Sequence, residues 1–280
     1  MNKKRSILLL TSLFLLLFLS GCSNSSELIE LTTPVSDVTK DGIFTVIFTY
    51  PLAQAINYLS GKLGVFWGIS LVTLALNVII IALTFKSNVA MQKMTEIQPE
   101  VQKIQLKYEG RTDTASQQRM AMEMNALYKK YGINPMSSML TAFIQFPVLI
   151  CMYAAVRRSA AVANGTLLGY SLDLTPRAAI TEKAWLLLVI YVLMIVFQFI
   201  SVGITRWLSN ARAKKEAEKR HKHYEKPADT MALTTYGMVA FIAVIMLSWP
   251  TALSLYYLIY SVINIAKTIV IDKLSHKEDK

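Results

Sequence analysis

Amide and hydroxyl side chains recur at helical spacing inside stretches that are otherwise apolar. Ser70, Thr73, Asn77 and Thr84 are spaced 3, 4 and 7 residues apart, so they share one face of a helix. Asn134, Ser138, Thr141 and Gln145 repeat the pattern at 4, 3 and 4. Ser254, Tyr257, Ser261, Asn264 and Thr268 do so at 3, 4, 3 and 4, and Gln198, Ser201 and Thr205 form a thinner version. Asn77, Gln145 and Asn264 lie within two residues of the midpoints of their stretches, about 3 Å at helical rise. In hydrocarbon an unpartnered amide costs a few kcal/mol. Two arrangements satisfy such groups: a shared hydrated groove, or hydrogen bonds between packed helices at about 0.6 kcal/mol each. Stripes of four or five polar residues along a whole face favour the groove.

This chemistry is solvation and hydrogen bonding, with no catalytic set. His221, His223 and His276 lie in basic segments, and the chain has no HExxH or GxSxG. Cys151 stands in an apolar run without a His neighbour. No catalytic residue, metal site or cofactor is expected. A small transporter or channel is the alternative use of polar stripes, but it calls for an acidic coupling residue, and none occurs in the five stretches. Cys22 differs from Cys151. It follows Lys3, Lys4, Arg5, a 13-residue apolar run (7–19) and Leu19-Ser20-Gly21. That order resembles a bacterial lipoprotein signal, which predicts removal of residues 1–21 and a palmitate-bearing Cys22 outside the cytoplasm.

The elements that carry these stripes follow from composition. Hydrophobic residues make up 54% of the 280 and charged residues 17%, which excludes a disordered chain and points to a membrane. Five apolar stretches, 65–85, 136–156, 184–204, 231–249 and 253–271, are each long enough for a spanning helix. The predicted class is an all-α membrane protein with five transmembrane helices. With residue 22 outside, the segments 86–131, 205–230 and 272–280 are cytoplasmic, and 22–64 and 157–183 are outer. Lys and Arg agree: 8, 8 and 4 fall in 86–131, 205–230 and 267–280, against 2 and 4 in 23–64 and 157–183. Arg157 and Arg158 are the mild exception. The net charge of +11 is therefore mostly a record of topology, and no specific nucleic-acid binding is expected. Segment 206–226 reads as a solvated helix end near anionic lipid.

Between the first two stretches, Met94, Ile97, Val101, Ile104 and Tyr108, then Met120, Met124, Leu127 and Tyr131, form two apolar seams at alternating 3 and 4 spacing. They predict a helical hairpin turning at 110–114, with Pro99 kinking or restarting its first arm. Met91, Met94, Met120, Met122 and Met124 are candidates for contact with varied apolar partners, or simply fill the seam. Residues 43–63 mix apolar and polar side chains and predict an interfacial helix broken near Pro51.

Three blocks carry a resemblance to the YidC/Oxa/Alb membrane protein insertases. The first is Val72-Thr73 with Met94-Thr95-Glu96-Ile97-Gln98-Pro99-Glu100. The second is Leu127-Tyr128-Lys129-Lys130-Tyr131-Gly132-Ile133-Asn134-Pro135, then Gln145-Phe146-Pro147 and Tyr153. The third is Trp249-Pro250 with Leu255-Tyr256-Tyr257. The lipoprotein signal and short outer segment resemble the Gram-positive forms. The resemblance implies insertion and chaperoning of nascent membrane proteins, without nucleotide hydrolysis, through a polar groove open to cytosol and lipid. It implies groove roles for Ser70, Thr73, Asn77, Thr141, Gln145, Tyr257, Ser261 and Asn264, and early client contact by the hairpin. It leaves contact with the ribosome or the Sec translocon open. The family's usual groove Arg falls here on Asn77, its usual Pro on Ala82, its usual Trp on Tyr257 and its usual amide on Ser261. An uncharged groove that depends less on charge pairing is the expectation, with Lys267 near the end of the fifth stretch.

Overall fold

The computed structural model describes residues 27–219 and 230–275. The predicted signal 1–21, Cys22 and all three histidines lie outside the described residues. Among the described residues the chain is almost wholly helical. The principal helices are α1 (Tyr50–Leu63), α2 (Val65–Glu96), α3 (Gln98–Lys107), α4 (Thr114–Lys130), α5 (Pro135–Arg158), α6 (Trp185–Lys219), α7 (Thr230–Met246) and α8 (Thr251–Ser275). Two-residue strands, β1 (Thr166–Leu167) and β2 (Tyr170–Ser171), pair antiparallel in one small ribbon. Among the described residues, three helical segments are long and apolar enough to cross a membrane: Val65–Met91, Trp185–Arg212 and Thr251–Lys273. Helix α7 holds a shorter apolar segment, Thr235–Met246.

The boundaries follow from local chemistry. Helix α2 does not stop where its apolar run ends near residue 85. Residues 86–96 contain neither Gly nor Pro, so the helix continues to Glu96. It stops at Ile97, and Pro99 then sits in the first turn of α3, where its missing N–H costs nothing. Pro51 likewise lies in the first turn of α1, after one π-helical turn, Thr45–Thr49. The proline changes the helix type there and does not break the segment. Trp249-Pro250 separates α7 from α8.

The chain forms two compact units. The first comprises the described residues up to Leu76, with Gln145–Met194 and Ile245–Ile259. Its core includes the fully buried Ile29, Ile56, Ile69, Met152, Leu172, Leu187, Leu253 and Tyr256. Helices α1 and α2 meet at Gly64, whose φ of 89° suits glycine. They then approach so closely that a Cβ on Gly68 would stand 2.0 Å from Ser60 Oγ.

The second unit comprises Asn77–Ile144 and the described residues of Ile195–Val244 and Tyr260–Lys280. It contains the predicted helical hairpin. Ile97, Val101, Leu127 and Ile133 are buried together, with Met94, Ile104, Met124, Tyr128 and Tyr131 packed against them. Each fully buried aliphatic side chain contributes about 1.5–3 kcal/mol. The turn is set by Gly110 at φ 76° and by Asp113, whose carboxylate accepts the Ser116 N–H at 2.8 Å. That backbone hydrogen bond holds the Asp113 carboxyl below its ordinary range. Across the arms the Lys107 ammonium donates to Glu123 at 2.6 Å and Tyr108 donates to the same oxygen at 2.8 Å. The Lys107 bond keeps the Glu123 carboxyl low, and the same bond raises Lys107. Tyr131 donates to Glu100 at 2.6 Å.

Candidate functional site

Within the first unit, the start of α2 carries Ser70 and Thr73. Their hydroxyls donate back to the carbonyls of Phe66 at 2.6 Å and Ile69 at 2.7 Å, which satisfies them without a second helix. Thr73 is fully buried and Ser70 partly so. Tyr257 of α8 is buried, edge-on to Tyr256 with ring centroids 5.2 Å apart. The Ser254 hydroxyl on the same helix is buried and makes no hydrogen bond among the described residues. Two residues from separate sequence blocks come together here: the rings of Tyr153 and Trp249 lie 4.5 Å apart, and Arg157 donates to the Tyr153 hydroxyl at 2.9 Å.

This unit also holds a buried polar cluster that the sequence pattern does not predict. Arg158, which the charge count leaves as an exception, forms a 2.8 Å ion pair with Asp41, with side chains only 9% and 6% exposed. Its Nε also donates to the Glu27 carbonyl at 3.0 Å. Asn57 is equally buried. Its Oδ1 accepts from Ser159 Oγ at 2.6 Å and Ala161 N at 3.0 Å, and its Nδ2 donates to the Ile29 carbonyl at 2.5 Å. Ile29 bridges Ser159 in parallel, and Tyr50 and Gln54 donate to the carbonyls of Thr33 and Glu30. Residues 27–33 are thus strapped onto α1 and the end of α5. The only advance signal was a positive charge in a segment expected to be poor in them. On the same unit, Thr251 N and Oγ1 both donate to the Leu174 carbonyl, Ala252 N to Leu172 and Arg177 N to Leu247. These bonds tie 172–177 to the junction before α8.

Within the second unit, Asn77 is buried at 5% exposure, and further along α2 Thr84, Ser87 and Asn88 are also buried. Asn88 Nδ2 donates to the Thr84 carbonyl and hydroxyl, at 3.0 and 2.9 Å. The α8 stripe meets the α6 stripe. Ser261 donates to Gln198 Oε1 at 2.5 Å and Asn264 Nδ2 to Ser201 Oγ at 2.8 Å. So Ser261 and Asn264 each spend a hydrogen bond on a neighbouring helix, the second of the two arrangements that polar stripes allow. Further along, Arg212 pairs with Asp272. Thr141 and Gln145 lie on helix α5. On the hairpin side, Met91 and Met122 are exposed, while Met94, Met120 and Met124 are half-buried. The seam therefore claims part of the methionine set, Met94 and Met124, while Met91 and Met122 keep exposed side chains. Among the described residues no three His, Cys, Asp or Glu come together to hold a metal ion.

Long apolar helices that bury polar residues, together with a helical hairpin, define an all-α membrane protein. The chain belongs to the YidC family, described as 60Kd inner membrane protein, whose pattern it matches over residues 56–279. It is similar to "Membrane protein insertase YidC 2" of Bacillus anthracis, at 28% identity over 271 residues covering 96% of this chain and 94% of that protein. It is similar to "Membrane protein insertase MisCA" of Bacillus subtilis (strain 168), also at 28%, covering 96% and 92%. A shorter match, 39% identical over 169 residues, joins 60% of the chain to 56% of "Membrane protein insertase YidC 1" of Streptococcus pyogenes serotype M3. It is a bacterial membrane protein.

Proposed function

We infer that this protein inserts client membrane proteins into the bilayer and helps them fold, and that it does so without enzymatic chemistry. Its clients are nascent membrane proteins, and its surroundings are lipid. Family membership and relatives named as insertases across nearly the whole chain support the activity. The transporter alternative gains no support from them.

The mechanism follows from the barrier. A client's polar tail must cross about 30 Å of hydrocarbon. A polar cleft that reaches the midplane shortens the dry path, and the client's apolar span then enters lipid, driven by burial at roughly 25 cal/mol per Å². In our reading the chain has five spans, α2, α5, α6, α7 and α8, with α3 and α4 as a cytoplasmic hairpin. Ser70, Thr73, Asn77, Thr141, Gln145, Tyr257, Ser261 and Asn264 line the groove, and Met91, Met94, Met120, Met122 and Met124 make early contacts. Residues 1–21 are a lipoprotein signal, Cys22 carries the lipid outside, and the C-terminus is cytoplasmic, where a ribosome or the Sec translocon can approach. The observation that carries the reading is the family match over residues 56–279; the burial of Thr73, Asn77, Thr84, Ser87 and Asn88 supports only that the polar face of α2 is turned away from lipid, as a groove requires. The strapped segment 27–33 is consistent with an outer side that stays closed.

Photo-crosslinkers placed at 77, 145 and 264 test the groove with a nascent single-span client. Adducts are expected from all three. Absence from all three, with adducts at lipid-facing control positions, refutes the groove.

A further inference from the structure

Helices α6 and α8 are joined by polar groups at three levels. Ser261 pairs with Gln198 and Asn264 with Ser201, each across 63 residues of sequence, and Arg212 pairs with Asp272. The α6 partners run from 198 to 212, about 21 Å of helix at 1.5 Å per residue. The spacing keeps one face of α6 on one face of α8. Ser261 and Ser201 are buried, and the Arg212 and Asp272 side chains are mostly covered. Between these levels, the Thr205 and Ser209 hydroxyls donate to carbonyls of α6 itself, each at 2.9 Å. They compete for none of the cross-helix partners.

We propose that α6 and α8 remain joined throughout client insertion, as one fixed two-helix plate, so that no client span leaves between them. This rests on the insertion reading. Parting the two helices would break both cross-helix hydrogen bonds, and Gln198 and Ser201 on the α6 side would then meet the client's apolar span or lipid, where water cannot replace the lost partners. It would also separate a mostly covered ion pair, and stranding either charge is the costly half of such a pair. An apolar client span supplies no hydrogen bonds in exchange. The easier course is for the client to move along the plate. Gln198, Ser201, Asn264, Arg212 and Asp272 are then positioning residues that act through one another.

The test locks the seam reversibly in the full-length protein. Ser201→Cys and Asn264→Cys are combined with Cys151→Ser, reconstituted into lipid vesicles, and oxidised. Insertion of a single-span client is measured before oxidation, after it, and after reduction. The disulfide should form, and insertion by the oxidised variant should stay within about twofold of the same variant's own reduced form, whatever the cysteines themselves cost relative to the unaltered protein, well inside the tenfold that 1.4 kcal/mol represents. A loss of tenfold or more that reduction restores shows that the seam opens and overturns the proposal. Failure of the disulfide to form overturns the pairing itself. A second measurement uses charge exchange. Arg212→Asp should lower insertion, and adding Asp272→Arg should recover it. No recovery overturns the role of the ion pair. If the unaltered protein inserts no client in the same vesicles, the insertion reading fails, which is distinct from failure of the plate.

Discussion

Asn57→Ala removes the side chain that ties the strap 27–33 to α1 and to the end of α5. The wild-type amide makes three hydrogen bonds in a site where Asn57 is only 4% exposed. At a net value of about 1 kcal/mol per bond, the loss is about 3 kcal/mol, and more if the Ile29 carbonyl finds no other donor. For a chain of this size that corresponds to a fall in unfolding temperature on the order of 6–12 °C. Ser159→Ala removes one of the same bonds, and with it the hydroxyl that accepts from Val162 N at 3.2 Å. Its cost should be about 2 kcal/mol. Because the two residues share a bond, the double variant should cost about 1 kcal/mol less than the sum of the singles. Thermal unfolding of the purified protein in detergent gives all four stabilities. Protease sensitivity of residues 27–33 should rise with Asn57→Ala before global unfolding. Strict additivity, or an Asn57→Ala variant that melts with the wild type, refutes the view that this amide is the hub of the strap.

Gly68→Ala should destabilise by about 1–3 kcal/mol, because the new Cβ would meet Ser60 Oγ at 2.0 Å and Ser60 N at 2.9 Å. Ser60→Ala should relieve this only in part, since the backbone contact remains, and thermal unfolding reads both. Ile97→Asp with Ile104→Asp places two carboxylates in the hairpin seam and should reduce client insertion far more than deletion of the tip at 110–114. Equal effects in an insertion assay would remove the seam's structural role. The hairpin should also respond to acid. Asp113 and Glu123 have carboxyls held below their ordinary values of 3.8 and 4.5, so the stability they confer is fully present above those values and is lost as pH falls through the lowered ones. Hydrogen exchange of 98–130, corrected for intrinsic rates, should accelerate below about pH 4.5, and Asp113→Asn should diminish the change while keeping the cap. Asn77→Arg should shift insertion toward clients with acidic tails and make it more salt-dependent, at a mid-membrane cost of about 2.5–3.5 kcal/mol. Unchanged client preference would mean that Asn77 does not face the client.

The helical class, the polar stripes and the hairpin seam can all be read from the order of residues along the chain. These are periodic properties, and periodicity is local: Ile97, Val101 and Leu127 are buried where their spacing puts them. The family was legible too, because its motifs are short runs such as Gln98-Pro99-Glu100 and Trp249-Pro250. Helix lengths were less legible. An apolar run ends where hydropathy changes, whereas α2 ends only where its backbone hydrogen bonds do, at Glu96. Which partners the polar groups take was not legible at all. A stripe shows that Ser261 and Asn264 share a face, but only the fold sets Gln198 and Ser201 against them, 63 residues away. The same holds for Arg158 and Asp41. Each alone reads as a surface charge, and their burial together depends on a long-range approach that no local pattern encodes.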